Sequence, residues 1–440
     1  VRAVALVTLI ALLAGCASPN APGAPGGIFQ PAPSAPAATF ALHGVGHEGG
    51  EPTMGVTPKG TLFVISNTAV LKSADEGATW KNVTLPAGFP TSLDPFLWVD
   101  PDTGRVFVDE LYAGCSYLAF SDDEGASWLY NPAACGVPVN DHQTIATGKP
   151  LGLLVQPVQY PNVVYYGYNG AAASMVARSL DGGLTFAGAV VAIDPQHCGG
   201  LNGHLKAGPD GTLYLPAAGC DEPVVAVSRD SGLTWEQHVI ATGGVGRSAP
   251  GDDPSISIDA SGVAYLLFPG KDAHMYASVS TDQGATWSAV FPVSPASVTS
   301  SLMAASTAGD RGRVLFAYYA TTDSTSSWKS PNSDDASETT RWHLYATFSA
   351  DADKGPASHW TTVRVTPDND PVKIGRIHNG GGSDPDRNLL DFFDAAHDAK
   401  TGRAYAAYTD GCEATCTDQA SSRHAGTTVA TLASGFSLKA

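Results

Sequence analysis

Several carboxylate and imidazole side chains stand at equivalent places along this chain: Glu51, Asp94, Asp141 with His142, His204, Asp253 with Asp252 beside it, and Asp391. Each precedes a short apolar run, so elements starting side by side would gather these groups at one end. Carboxylates brought together repel unless protons, basic groups or a cation offset the charge. Three chemistries fit. The acids can accept backbone N–H bonds at strand starts around a watery channel. Glu51, Asp94, Asp141, Asp253 and Asp391 can instead supply the hard oxygen ligands that Ca²⁺ prefers. Alternatively, Asp94, Asp141, Asp253 and Asp391 can act as acid/base groups, one carboxyl having its pKa raised by like-charged neighbours. His142 and His204 serve as polar walls or as substrate contacts.

The elements that must position these groups read as hairpins. Glu51-Pro52 leads into TMGVTPKGTLFVI, Asp94-Pro95 into FLWVDPDTGRVFV, His204 into LKAGPDGTLYL and Asp253-Pro254 into SISIDASGVAYLLF. Ser301 leads into LMAASTAGDRGRVLFAY and Asp391 into FFDAAHDAKTGRAYAAY. Asp141-His142 leads into QTIATGKPLG, a poorer match whose second strand is the later Val163-Val164-Tyr165-Tyr166. Each unit is a short strand, a Gly-containing turn and a second, alternating or apolar strand.

A second repeat follows these hairpins. Ser73 to Trp80 reads SADEGATW, and the pattern returns as SDDEGASW (121–128), SLDGGLTF (179–186), SRDSGLTW (228–235) and STDQGATW (280–287). A degenerate copy runs from Ser349-Ala350-Asp351 to His359-Trp360. In each, Asp accepts hydrogen bonds from its own turn, Gly supplies a left-handed backbone position, and the aromatic opens the next strand. Spacing of roughly fifty residues is the size of a propeller blade. The pattern resembles the Asp box, or BNR repeat, of the sialidase superfamily over most of the chain. The resemblance implies an all-β propeller of four-stranded blades, with each box a turn between outer strands on the side away from the active site. Asp75, Asp123, Asp181, Asp230 and Asp282 are then structural. Seven inner hairpins give seven blades; six, the number usual in sialidases, is the alternative. The strand-like segments Thr39 to His43 and Thr427 to Leu432 are available to close the ring, one of them completing the seventh blade.

Residues 1–16 (VRAVALVTLIALLAGC) read as an export signal ending in a lipobox, which makes Cys16 the lipidated residue of an extracytoplasmic, membrane-anchored protein. Residues 17–38 are a Pro/Ala/Gly-rich, uncharged tether, and 39–440 form the propeller domain. A formal charge of −18 argues against nucleic acid as a partner. The domain reads as a monomer that meets membrane only through its lipid. Six cysteines remain besides Cys16, an even number in an exported chain. If boxes and inner turns share the bottom face, all six fall in top loops, and the pairs read as Cys115–Cys135, Cys198–Cys220 and Cys412–Cys416.

Sialidase chemistry uses three arginines to clamp the substrate carboxylate, a Tyr activated by Glu as nucleophile, and an Asp as acid/base. No arginine lies between Arg2 and Arg105 here, and Arg105 falls in a bottom turn. The top-face arginines are Arg247, Arg376, Arg387 and Arg423, which become the substrate-binding candidates; Tyr318 and Tyr319 are the nucleophile candidates. Two long segments, 321–340 and 366–390, shape the top, and the second concentrates Arg376, His378, Asp384, Asp386 and Arg387 before Asp391. Two functions follow: a cell-envelope glycoside hydrolase resembling exo-sialidases, or a non-catalytic propeller that binds a glycan, a protein or a divalent metal.

Overall fold

The computed structural model describes residues 37–83, 85, 87–92, 94–112, 115–134, 141–152, 155–170, 173–197, 202–247, 252–323, 337–378, 382–412 and 415–440. The lipobox with Cys16, the tether up to residue 36, Cys135, Cys198 and the middle of the 321–340 segment lie outside them.

Seven four-stranded antiparallel sheets follow one another along the chain. Their first strands are Thr53–Val56, Pro95–Val99, Asp141–Gly148, Lys206–Ala207, Ser255–Ile258, Ser300–Ala308 and Asp394–His397. Each first strand packs against that of the next blade, and the last packs against the first, so the sheets form a closed ring. A seven-bladed propeller results, and the six-bladed alternative is excluded. In blade 6 a short extra strand, Lys373–Ile374, also pairs with the third strand, Arg341–Ser349.

The second strands explain the sequence pattern. Leu62–Ser66 (LFVIS), Val163–Gly170 (VVYYGYNG) and Val314–Thr321 (VLFAYYAT) are almost wholly buried, because neighbouring blades cover both faces of each sheet. Fourth strands such as Lys81–Asn82 and Glu236–Val239 reach the rim and are largely exposed. The core is therefore a set of slabs, one at each seam between blades. Phe63, Ile65 and Val70 of blade 1 meet Leu97, Val106 and Val108 of blade 2, and equivalent groups fill every other seam. Each fully buried Leu, Val or Phe contributes about 1.5–3 kcal/mol.

In a four-stranded meander the first and third turns fall at the same end. That places the boxes beside the inner hairpin turns: Thr61 Oγ1 donates to Glu124 of the blade 2 box, and Arg105 donates to the Gly182 carbonyl at 2.8 Å. In every intact box the Ser hydroxyl donates to one Asp oxygen, and the Thr or Ser four residues after Asp donates its N–H and hydroxyl to the two oxygens. The degenerate sixth copy keeps this chemistry. Asp351 accepts from Ser349 Oγ at 3.0 Å, His359 N at 2.8 Å and His359 Nδ1 at 2.9 Å, so an imidazole replaces the Thr across a longer loop. The box aromatics Trp80, Trp128, Phe186, Trp235, Trp287 and Trp360 each wedge into the seam with the preceding blade.

Blade 7 has no box, because its third and fourth strands come from opposite ends of the chain. Gly426–Ser434 is the third strand and Thr39–Glu48 the fourth, so both terminal strands complete the blade rather than one. Phe436 packs into the seam between blades 6 and 7, 4.6 Å from the Phe348 ring, as a box aromatic does elsewhere.

Candidate functional site

The channel mouth is built where the first strands begin, and the backbone there is irregular. Glu51, His142, Met303 and Leu390 all have positive φ, of 54°, 48°, 56° and 57°. Non-glycine residues rarely adopt this region, at a cost of order 1–3 kcal/mol each, and they cluster at functional sites. At His142 the strain accompanies a break in register between Asp141 and Thr144, which re-aims the imidazole.

His142 Nδ1 lies 2.8 Å from Asp253 Oδ2, joining blade 3 to blade 5 past blade 4. Burial opposes a charge on this ring, but Asp253, then Asp141 and Asp391, hold it protonated, with a pKa raised to about 10. Asn202 of blade 4 donates to the His142 carbonyl at 3.2 Å. Within reach of this pair, Glu51 Oε1 accepts the Asp391 backbone N–H at 3.2 Å, and Arg387 Nη2 donates to Asp391 Oδ2 at 2.6 Å. Asp94 accepts a 2.9 Å bond from Gln143 Nε2. Below the mouth, Lys206 Nζ stands 3.9 Å from Asp394 and 4.9 Å from the Trp98 ring, so the throat is polar and paired.

Glu51, Asp94, Asp141, Asp253 and Asp391 therefore do face one channel. Their charge balance comes from His142 and Arg387. Glu51 is pushed well above the usual carboxylate range by burial and by the Asp94 and Asp391 charges. Burial also raises Asp94, against the Gln143 hydrogen bond. Asp391 reaches only about 6, because Arg387 and His142 counter its burial. One mouth thus holds a carboxyl kept protonated and a carboxylate that ionises near neutrality. Among the described residues no three His, Cys, Asp or Glu side chains are grouped as metal ligands.

Several candidates are placed differently from expectation. His204 reaches across the channel but meets aromatic rings there, edge-on to Phe96 and Phe392 at 4.9 and 4.8 Å, and burial drives its pKa well down. Tyr318 and Tyr319 are fully buried core residues, bonded to Thr347 Oγ1 and to the Thr409 carbonyl, each at 2.8 Å, so neither reaches the mouth as a nucleophile. The arginines do not form an anion clamp. Arg247 is buried against Asp252 at 3.7 Å and donates to the Ser301 carbonyl. Arg376 and Arg423 converge on buried Asp386, at 2.9 and 2.8 Å, with Lys373 also paired to it at 3.4 Å. These contacts fasten the long link before blade 7 to the top loop of that blade. Cys412 and Cys416 are bonded, Cys220 is in a disulfide, and its expected partner Cys198 lies outside the described residues, as does Cys135, the expected partner of Cys115.

Sequence reasoning missed Asp109 and Glu110, fully buried on the second strand of blade 2 near Asp94. Burial raises Glu110 to about 7, although Ser92 donates its N–H at 2.9 Å and its hydroxyl at 3.1 Å. The available signal was two adjacent acids inside the apolar strand Val106–Tyr112 (VFVDELY).

Residues 154–370 match the model of the BNR repeat-like domain. A xyloglucanase of Paenibacillus sp. is 32% identical over 168 residues; the match covers 34% of this chain and only 16% of that protein's length. Among solved structures, the BP39L lectin of Burkholderia pseudomallei superposes with a TM-score of 0.53 at 13% identity, over 83% of this chain and 93% of the lectin. The RRP9 WD40 repeats superpose with a TM-score of 0.52 at 8% identity, over 89% and 97% of the two chains. At such identities the structures bear on fold alone. The chain is a seven-bladed β-propeller, within which residues 154–370 resemble the BNR repeat-like domain.

Proposed function

We propose that this propeller is a glycoside hydrolase acting on uncharged glycans, with Glu51 as the acid and Asp391 as the base. The observation that carries the reading is the Asp391 backbone N–H bonded to Glu51, which sets two carboxyl-bearing residues side by side at the mouth, Glu51 raised well above the usual carboxylate range and Asp391 to about 6. In the reaction, Glu51 gives its proton to the departing glycosidic oxygen as the bond to the anomeric carbon breaks. Asp391 stabilises the positive charge on that carbon and takes a proton from the incoming water, whose oxygen completes the hemiacetal. Return of that proton to Glu51 resets the site.

The similarity to a xyloglucanase supports a neutral polysaccharide as the substrate class. So does the mouth itself: its side chains are mainly carboxyls, and the arginines expected to clamp a sialic acid are committed to Asp252, Asp386 and Asp391. In the fuller reading the enzyme is exported, anchored by lipid at Cys16, and works as a monomer on glycans outside the cytoplasm. The test is release of reducing ends from soluble neutral polysaccharides, xyloglucan among them, beside a sialoside. Turnover of a neutral glycan that is lost in both Glu51→Gln and Asp391→Asn supports the assignment. Turnover of the sialoside alone, or a neutral activity indifferent to both changes, refutes it. Glycan binding without turnover would point to the non-catalytic alternative.

A further inference from the structure

The N-terminal strand does not keep register with its partner. Gly44 faces Thr428 and Glu48 faces Gly426, so Val45, Gly46 and His47 bow outwards opposite a single residue. Beside the bow, where the top edge of blade 7 meets the link from blade 6, lies a cavity of about 390 Å³. Its walls include Asp370 from that link, Asp410 at the end of the second strand of blade 7, Tyr408, Thr428 and His47. No Lys or Arg lines it.

The polar groups here are built in. Tyr408 is 0% exposed, and its hydroxyl finds no hydrogen-bond partner among the described residues, although Thr428 stands beside it. The phenol lies in the field of both Asp410 and Asp370, and one Asp370 oxygen is likewise buried and unpaired. Asp410 is fixed by accepting the Cys412 N–H at 2.9 Å, at the start of the loop closed by the Cys412–Cys416 bond. A buried donor or acceptor left without a partner costs roughly 1–3 kcal/mol, so such groups point to something absent from the free chain.

We propose that this cavity is a secondary subsite for one sugar residue of an uncharged glycan, held by its hydroxyl groups. Carboxylates only accept hydrogen bonds and sugar hydroxyls donate them; the Tyr408 hydroxyl can serve either way. An anionic sugar would meet the carboxyl groups of Asp370 and Asp410 in a lining without Lys or Arg. The volume falls within the roughly 300–1,000 Å³ of small-molecule sites and far exceeds the space of an ion. The described residues also bring no three metal-ligating side chains together. This inference rests on the glycan-directed reading of the protein, but it concerns binding away from Glu51 and Asp391.

The test is native affinity electrophoresis of the full chain through gels containing xyloglucan, in a Glu51→Gln background so that the polymer survives. Asp370→Asn and Tyr408→Phe are added singly; the second keeps the ring and removes one oxygen, and near-ultraviolet circular dichroism checks that each variant is folded. The expected result is at least a threefold loss of retardation in both. Unchanged retardation, or none in the parent, overturns the proposal. So does a calcium-dependent rise in melting temperature that Asp370→Asn abolishes while mobility in the gel stays the same, which would make the cavity a cation site. Retardation that depends on Asp370 in a protein without turnover would keep the subsite and reject hydrolysis, so the two readings fail separately.

Discussion

The His142 imidazole reaches from blade 3 to the Asp253 carboxylate of blade 5, 2.8 Å away, while blade 4 sends Asn202 to the His142 carbonyl beneath. The pair bridges non-adjacent blades, and it fills with a protonated side chain the position where an acidic ring would otherwise call for a cation. Removing one partner of a buried ion pair costs about 3–5 kcal/mol, because the other charge is left uncompensated. His142→Gln is therefore expected to destabilise the domain by that order. The imidazole pKa is raised on folding, so its contribution is complete below the unfolded value near 6.5 and disappears as pH climbs through about 10. Urea titrations of both proteins from pH 6 to pH 10 should show the gap closing; a constant gap would mean the ring is not charged.

Hydrolysis should depend on pH through two groups. Asp391 must be ionised, so activity rises as pH passes about 6. Glu51 must keep its proton, and burial beside two carboxylates holds that proton beyond the usual carboxylate range, giving the alkaline limb. Each of Asp391→Asn and Glu51→Gln should reduce kcat on a neutral glycan by about 10²–10⁴-fold. Arg387→Lys keeps a positive charge but changes its reach to Asp391, and should shift the acid limb rather than abolish activity. A profile unchanged in this last variant would separate Arg387 from the chemistry.

The sixth box can be tested without any assay of function. Asp351 gains through bonds from His359, Lys354 and Ser349 more than partial burial costs its ionised form, and titrates at about 2. Because folding lowers this pKa, its stabilisation is present above the unfolded value near 4 and is lost as pH falls towards 2. Asp351→Ala should cost about 1 kcal/mol at pH 7, discounted for solvent exposure, and only a small part of that at pH 2. His359→Thr should cost less than Asp351→Ala, since a hydroxyl fills that place in the intact boxes. Thermal melts at the two pH values decide it.

Anchoring at Cys16 is a proposal from the sequence of residues 1–16. Cys16→Ala should move the protein from the membrane fraction to the soluble extracytoplasmic fraction, since the uncharged segment after it offers no electrostatic attraction to lipid headgroups. Retention of the variant on membranes after a high-salt wash would reject the lipid anchor.

The fold was legible because its signals are local. A box needs only a Ser, an Asp, a Gly and a Thr in one turn, so Asp75 or Asp282 announces a blade wherever it stands. The copy at Asp351 was blurred because its partner His359 is eight residues away instead of four. The acidic mouth was readable for a similar reason, since position in a repeat determines position around the axis. The arginines were not. Whether Arg423 meets a ligand or Asp386, 37 residues earlier in the chain, depends on the path of two long loops that no periodicity constrains. Glu110 was hidden by its setting: inside an apolar strand a charged residue reads as a surface position unless the neighbouring blades are known to cover it.

Closure of the ring has a kinetic consequence. Thr39 and Ser434, whose hydroxyls are 2.8 Å apart, are separated by 395 positions. The strand that precedes six of the blades must wait for the strand that follows them, and until they meet, both sides of the unfinished circle present open ladders. The pairing gains nothing until almost the whole chain has been gathered, so the entropy of that search falls on one late step. Assembly of the blades can run ahead in sequence order. The closing event is then two ends finding each other, after which the ring can open only by breaking a seam between blades.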